Sequence, residues 1–205
     1  MIILKKLPIN KSHLVAPLLI VIIALTAFFF NNDVSGHLSY NRELIYQGQW
    51  WLLFTGHLLH TNDMHLAMNS AAVILLWALH GQFFTFKSYV AIWLLIALGT
   101  SLGLYLFSPS MLSYVGLSGV LHGFFVIGAC KDIQHKEKTG YLLLVAVIIK
   151  VAYEQVFGPS EEVIQLIEAN VAIDAHLYGL IGGFIVFSAL YCLQLKSDKV
   201  SNSIK

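Results

Sequence analysis

The chain has 205 residues, of which 58% are hydrophobic and 11% are charged, and its formal net charge is +1. Its mean hydropathy is +0.75, whereas soluble domains carry roughly 25% charged residues. This composition excludes an ordinary soluble domain and predicts an integral membrane protein. Only short polar segments separate the apolar runs, so we expect residues 1–205 to form a single membrane domain.

Apolar stretches long enough to cross a bilayer occur six times along the chain. They are predicted at residues 14–31, 64–83, 88–107, 117–131, 140–158 and 172–194. The fourth stretch is shorter than the others. The pattern predicts an all-α membrane protein with six transmembrane helices.

The first apolar stretch follows Lys5, Lys6 and Lys11, which is also how a signal peptide begins. No small-x-small cleavage pattern follows residues 28–30, so we predict a retained first span. With the N-terminus in the cytoplasm, ten of the twelve Lys and Arg residues fall on the cytoplasmic side. The positive-inside rule therefore predicts that both termini are cytoplasmic.

Polar residues inside spans are costly and usually face the bundle interior or a water-filled cavity. Ser118 opens the fourth span within Gly-Leu-Ser-Gly, residues 116–119. The first turn of a helix has free N–H groups that favour negative charge, so this serine can offer a nucleophile beside an oxyanion site. Gly116 permits special backbone angles, and Gly119 permits close approach of a neighbouring helix. Simple helix packing is the alternative interpretation of such a glycine/serine face.

The sixth span contains AHLYGLIGG, residues 175–183, which places His176 on one helical stripe with Gly179 and Gly183. Small residues spaced by four on spans four and six can bring the two helices close together. We therefore predict a hydrogen bond between Ser118 and His176, with His176 as the general base of a catalytic dyad. A lone intramembrane histidine could instead bond a carbonyl across the bundle.

Another polar cluster begins the second span, where His65 and Asn69 share one helix face. Their N–H donors could complete an oxyanion hole with the N–H of Ser118. Metal or haem binding by His57, His60 and His65 is the competing interpretation. A zinc protease is disfavoured because the sequence lacks an HExxH motif, and we predict neither a metal nor any other cofactor.

Together these motifs resemble those of the rhomboid intramembrane serine proteases, which have a six-helix core. The resemblance consists of GLSG at 116–119, AHxxGxxxG at 175–183 and HxxxxHxxxN at 60–69. It implies that Ser118 is the nucleophile and His176 the base. It also implies that His65 and Asn69 are oxyanion donors.

We predict supporting roles around the dyad, and the resemblance adds the roles of His60 and of span five. These residues are Gly116, Gly119, His122, Gly179, Gly183 and His60. His60 would be structural or would organise water near the cavity mouth. Span five, which carries Lys150 and Glu154, would be the lateral gate, and this i,i+4 pair could either bond internally or face the cavity.

Two positions depart from the common rhomboid pattern. Trp50-Trp51 stands without the arginine that often follows in the first outer loop. His122 occupies the position where many rhomboids place an aromatic residue that stacks on the catalytic imidazole. It could stack, bond to His176 or simply fill the space. GLSGVLHG on a short six-span chain resembles the rhombosortase branch of bacterial rhomboids.

The rhombosortase resemblance implies cleavage of membrane-anchored proteins that end in a Gly-Gly motif, a hydrophobic helix and basic residues. We expect such substrates and the lipid bilayer as partners, and no nucleic acid. The acyl-enzyme could pass to water or to another acceptor. The expected location is the bacterial inner membrane, with the active site opening to the periplasm.

Two other functions compete with the protease. A catalytically inactive rhomboid-like binding protein is disfavoured by the intact set of Ser118, His176, His65 and Asn69. A small proton-coupled transporter would use the histidines with Lys150 and Glu154.

Overall fold

The computed structural model describes residues 7–203, except for the side chains of residues 31–33 and 198–203. Within that range the chain is almost entirely helical. The long helices are α1 Lys11–Phe29, α5 Asp63–His80, α6 Phe86–Phe107, α7 Ser118–Gln134, α8 Lys138–Phe157 and α10 Ile173–Ser203. The short elements are α2 Asn31–Leu38, β1 Tyr40–Asn41, α3 Arg42–Tyr46, α4 Leu52–Thr55, β2 Ser113–Tyr114 and α9 Glu161–Ile167, with 3₁₀ turns at Gly56–Leu58 and Gly81–Phe83.

Five helices in the described range are long and apolar enough to cross a membrane. They coincide, within a few residues at most ends, with five predicted spans. The fourth predicted span, 117–131, corresponds to α7, which has 17 residues. At about 1.5 Å per residue α7 is about 25 Å long, less than a hydrocarbon core of about 30 Å. The six predicted segments are therefore all helical, but five meet the length of a full span.

Helix α7 is the centre of the bundle. More than half of its residues are buried, and α5, α6, α8 and α10 all pack against it. The main apolar core joins α1, α5, α6 and α7 through residues such as Ile96, Val120 and Ile127. A helix enclosed in this way presents its first turn to the interior of the protein rather than to lipid.

Polar side chains determine where the helices begin. The Asn62 side chain accepts from His65 N–H at the start of α5. Thr85 and Ser88 form a reciprocal capping box at the start of α6. Each satisfies N–H groups that have no partner inside their own helix. The Asn62 cap sets the register that points His65 and Asn69 in the same direction.

The segment between α1 and α5 is anchored to the end of the bundle where α7 begins. Strand β1 pairs antiparallel with β2, which lies just before Ser118. Arg42 donates to the backbone oxygens of Leu104, Tyr105 and Ser108 at 2.8–2.9 Å. The sequence left this anchoring open because Trp50-Trp51 lacks a following arginine. Arg42, eight positions earlier, supplies the guanidinium.

Candidate active site

Ser118 and His176 are in direct contact in the structure. The Oγ atom of Ser118 lies 2.9 Å from Nε2 of His176. Ser118 is the first residue of α7 and is partly exposed, whereas His176 lies in the first turn of α10 and is buried. The histidine is thus held in the protein while the hydroxyl remains accessible.

Glycine contacts between α7 and α10 bring the two side chains together. A Cβ atom added at Gly179 would overlap the Gly119 carbonyl oxygen, and one at Gly183 would lie 2.6 Å from the Gly123 oxygen. Such close backbone approach is available only to glycine. The structure therefore shows the helix packing that the two glycine patterns predicted, and the packing sets the distance between the serine and histidine.

Gly116 shapes the turn that precedes the serine. Its φ of +128° lies in a region that residues with a side chain rarely adopt. A Cβ atom at this position would also lie 2.9 Å from the His65 ring. Gly116 therefore lets the chain turn into α7 while His65 approaches the backbone immediately before Ser118.

His65 and Asn69 lie on the face of α5 that points towards this turn. Nδ1 of His65 lies 3.4 Å from the Thr61 backbone nitrogen and 3.1 Å from Thr61 Oγ1, and Nε2 is the nitrogen near Gly116. The amide nitrogen of Asn69 is buried and has no hydrogen-bond partner within the described residues. His60 is buried behind His65, with 5.0 Å between their ring centroids.

A second set of contacts surrounds Nδ1 of His176, the ring nitrogen that does not face Ser118. Nδ1 lies 2.9 Å from Glu154 Oε2 and 3.1 Å from Lys150 Nζ. Lys150 and Glu154 also form an ion pair of 2.9 Å along α8. The sequence left two options for this pair, internal bonding or a position facing the site, and the structure shows both at once.

His122 stacks on His176. The ring centroids are 4.2 Å apart and the planes are tilted by 22°. Nδ1 of His122 lies 2.7 Å from the Ser118 carbonyl oxygen, and Nε2 lies 2.9 Å from Lys150 Nζ. Stacking was one of the arrangements that the sequence predicted, whereas the contact with Lys150 was not foreseen.

A cavity of about 460 Å³ opens above Ser118. Its lining includes Thr61, His65, the 110–115 loop and residues 169–172. Many of these groups are polar or expose backbone, so the cavity can hold water beside the serine. An extended peptide segment would also reach the Ser118 hydroxyl from this side.

Comparison with known proteins matches the part of the chain that contains these residues. The Rhomboid domain family matches residues 47–193, which include α5 to α8 and most of α10. The chain belongs to the rhomboid family. Since rhomboid proteins are serine-type intramembrane proteases and five described helices can cross a membrane, this rhomboid is a multi-pass membrane protein.

Two Bacillus subtilis relatives illustrate the similarity. This rhomboid is 26% identical to the putative rhomboid protease YdcA over 152 residues, which is 74% of this chain and 72% of the relative. It is 29% identical to the rhomboid protease GluP over 155 residues, covering 72% of this chain but only 27% of that relative. The similarity to GluP therefore leaves most of GluP unmatched.

This rhomboid contains a second serine–histidine contact, which the sequence did not indicate. Nε2 of His57 lies 2.9 Å from Ser101 Oγ and 3.1 Å from the Ala97 carbonyl oxygen. The Ser101 hydroxyl donates to the Leu53 carbonyl oxygen at 2.7 Å. Both side chains are fully buried, and burial lowers the pKa of His57 to about 4.

His122, Glu154 and His176 also form a group with the composition of a metal site, since one ligand atom of each lies within 4.8 Å of the others. The Lys150 ammonium lies within 3.1 Å of an atom of each of the three residues. A cation belonging to the protein thus stands among the donor atoms that a metal ion would need. The arrangement does not fit a metal ion unless Lys150 moves away.

Proposed function

We propose that this rhomboid is an intramembrane serine endopeptidase with Ser118 as nucleophile and His176 as general base. The observation that carries the proposal is the 2.9 Å contact between Ser118 Oγ and His176 Nε2 at the wall of an open cavity. His176 takes the hydroxyl proton while Oγ bonds to the peptide carbonyl carbon. The proton then goes to the leaving amine as the C–N bond breaks, and water hydrolyses the acyl-enzyme.

The oxyanion is proposed to bind between the Ser118 N–H, His65 and Asn69. Three observations support this assignment. Ser118 stands at the first position of α7, where backbone N–H groups lack intrahelical acceptors. Nε2 of His65 lies near Gly116, where a protonated Nε2 can donate. A buried amide donor such as that of Asn69 is costly without a partner, and a developing oxyanion would supply one.

The proposed topology has six spans, with α7 as the short fourth one and both termini in the cytoplasm. The lysine distribution supports this orientation. It places Ser118 at the outer end of a helix too short to reach both membrane surfaces. Water would then reach the serine from the periplasmic side of a bacterial inner membrane.

The proposed substrates are exported proteins anchored by a C-terminal hydrophobic helix that follows a Gly-Gly motif, as in the rhombosortase branch. The GLSGVLHG sequence, with a histidine at position 122, supports this narrower assignment. An apolar cleft of about 340 Å³ between α5, α7 and α8 ends at His122 and Lys150. A hydrophobic helix could enter there from lipid, and glycines near the cut would ease its unwinding.

The experiment uses a reporter made of an exported domain, a Gly-Gly motif, a hydrophobic helix and a basic tail. The reporter is co-expressed with the wild type, Ser118→Ala, His176→Ala or Ser101→Ala, and tail removal is followed on a gel. We expect cleavage by the wild type and by Ser101→Ala only. Continued cleavage by Ser118→Ala would contradict the assignment, and loss only in Ser101→Ala would transfer the nucleophile to the buried pair.

A further inference from the structure

We infer that Glu154 is a positioning residue that orients His176, so that the site works as a Ser118–His176–Glu154 triad. The inference rests on the proposed function. Its basis is the 2.9 Å contact between Glu154 Oε2 and His176 Nδ1, on the opposite side of the ring from Ser118. A carboxylate in this place keeps the proton on Nδ1 and leaves Nε2 free to accept.

One assignment of protons gives every group in the cluster a partner, and it leaves Lys150 Nζ and His176 Nδ1 as two neighbouring donors 3.1 Å apart. The Ser118 carbonyl can only accept, so His122 donates from Nδ1 and accepts at Nε2. Lys150, a donor only, donates to that Nε2 and to Glu154. His176 then donates from Nδ1 to Glu154 and accepts at Nε2 from the Ser118 hydroxyl. The direction required for general-base catalysis is therefore the one in which each group has a partner.

Lys150 allows the carboxylate to remain charged at this depth. The Glu154 side chain is only 13% exposed, and an isolated buried carboxylate would be strongly disfavoured. The ammonium at 2.9 Å compensates its charge. It also holds the His122 ring in the stack, so α8 supplies the orienting carboxylate together with its counter-charge.

Without Glu154, Lys150 would act against catalysis. Its Nζ atom already lies 3.1 Å from His176 Nδ1. Once the carboxylate is removed, the ammonium donates to Nδ1, which places the imidazole proton on Nε2 facing Ser118. That tautomer cannot accept the hydroxyl proton. Glu154 therefore both orients the base and diverts the lysine from it.

The test measures the rate at which a fluorophosphonate labels Ser118 in the full-length protein purified in detergent. Glu154→Ala is expected to slow labelling by about 100-fold, and Glu154→Asp to recover part of the loss, because an orienting carboxylate matters on this scale or more. Gln155→Ala is the control, since Gln155 is the exposed neighbour on α8. Thermal unfolding of each variant identifies loss through misfolding.

Two double variants separate orientation from a merely structural role. Lys150→Met combined with Glu154→Ala is expected to label about tenfold faster than Glu154→Ala alone, since the competing donor is gone. Glu154→Ala is expected to add less than about threefold to the loss in His176→Ala, because residues that act as a unit are not additive. Slower labelling in the first variant, or a multiplied loss in the second, would overturn the inference.

The same measurements distinguish failure of the inference from failure of the proposed function. If the wild type is labelled and Ser118→Ala is not, but Glu154→Ala labels at the wild-type rate, the dyad stands and the triad falls. If Ser118→Ala is labelled as fast as the wild type, the nucleophile itself is wrong and so is the inference.

Discussion

The described part of the chain contains two serine–histidine pairs whose closest atoms are equally far apart, yet the histidine donates in one pair and accepts in the other. In both pairs the serine oxygen lies 2.9 Å from a histidine Nε2. In the inner pair, Ser101–His57, Nε2 of His57 is the donor. The same nitrogen faces the Ala97 carbonyl, and the Ser101 hydroxyl donates its own proton to the Leu53 carbonyl. In the outer pair, Ser118–His176, Glu154 contacts Nδ1 of His176, and Nε2 accepts from the Ser118 hydroxyl.

The difference shows that the remaining partners of a pair, rather than its distance, decide whether it can generate a nucleophile. A serine that donates to a backbone carbonyl has no proton to give to a base. The inner pair is also completely enclosed, whereas Ser118 borders a cavity. The inner pair is therefore suited to joining α6 to the 52–58 segment, and the outer pair to chemistry.

The largest expected effect is the difference between the labelling rates of Ser118 and Ser101. A fluorophosphonate should modify Ser118 faster than Ser101 by about a thousandfold, the scale on which a positioned base contributes. Peptide mapping by mass spectrometry measures both sites in one sample, and heat-denatured protein is the control in which neither serine should react. Equal modification of the two serines in the folded protein would remove the distinction between the pairs.

A second prediction disrupts one pair and spares the other. Gly179→Ala should force α10 away from α7 and slow labelling of Ser118 by about 100-fold, since small displacements of catalytic groups have effects of this size. Gly182→Ala is the matched control, because its nearest atom would be 3.9 Å from the new Cβ. Labelling rates and unfolding temperatures are compared. Similar rates for the two variants would show that this glycine contact does not set the pair's geometry.

The inner pair should instead affect stability at low pH. In the folded protein the pKa of His57 is about 4, below the ordinary histidine value of roughly 6.5. The unfolded chain therefore binds the extra proton first, and stability present above pH 6.5 is lost as the pH falls towards 4. At pH 5 this loss is about 2 kcal/mol.

The measurement is chemical unfolding in detergent at pH 7 and pH 5 for the wild type and His57→Gln. The variant should be less stable at pH 7 but should lose about 2 kcal/mol less on acidification. An unchanged pH dependence would mean that His57 is not held neutral by its surroundings.

The smallest expected effect concerns the ring stacked on the outer pair. His122→Phe should change labelling by less than about threefold between roughly pH 6 and 8, because the phenyl ring preserves the stack and Lys150 retains Glu154. Parallel pH profiles of the variant and the wild type measure this. A new inflection in the variant's profile would assign His122 a proton-carrying role.

The sequence predicted the parts of the site that depend on local periodicity. Glycines spaced by four on two helices indicated their close packing, and the serine at a helix start followed from GLSG. The Lys150–Glu154 pair was visible as an i,i+4 pair, but the rotation of α8 relative to α10 determines that Glu154 meets His176. That rotation depends on tertiary packing of Val147 and Val151, which no local pattern encodes.

The contacts that the sequence did not predict join residues that lie far apart in the chain. Arg42 bonds to carbonyls more than sixty residues later, and a carbonyl carries no residue-type signal in a sequence. The contact between His57 and Ser101 also escaped prediction, because the two residues lie 44 positions apart and no local spacing joins them.

The position of Glu154 on α8 would, under the proposed function, link admission of a substrate to the timing of the reaction. Helix α8 packs on α7 and α10 and leaves Leu142, Ile149 and Val156 exposed on its outer side. Under the proposed function, a helix segment that entered beside α8 and displaced it would break the 2.9 Å contact between Glu154 and His176. Proton transfer would then wait until α8 had returned, so that entry and bond cleavage would occupy successive intervals.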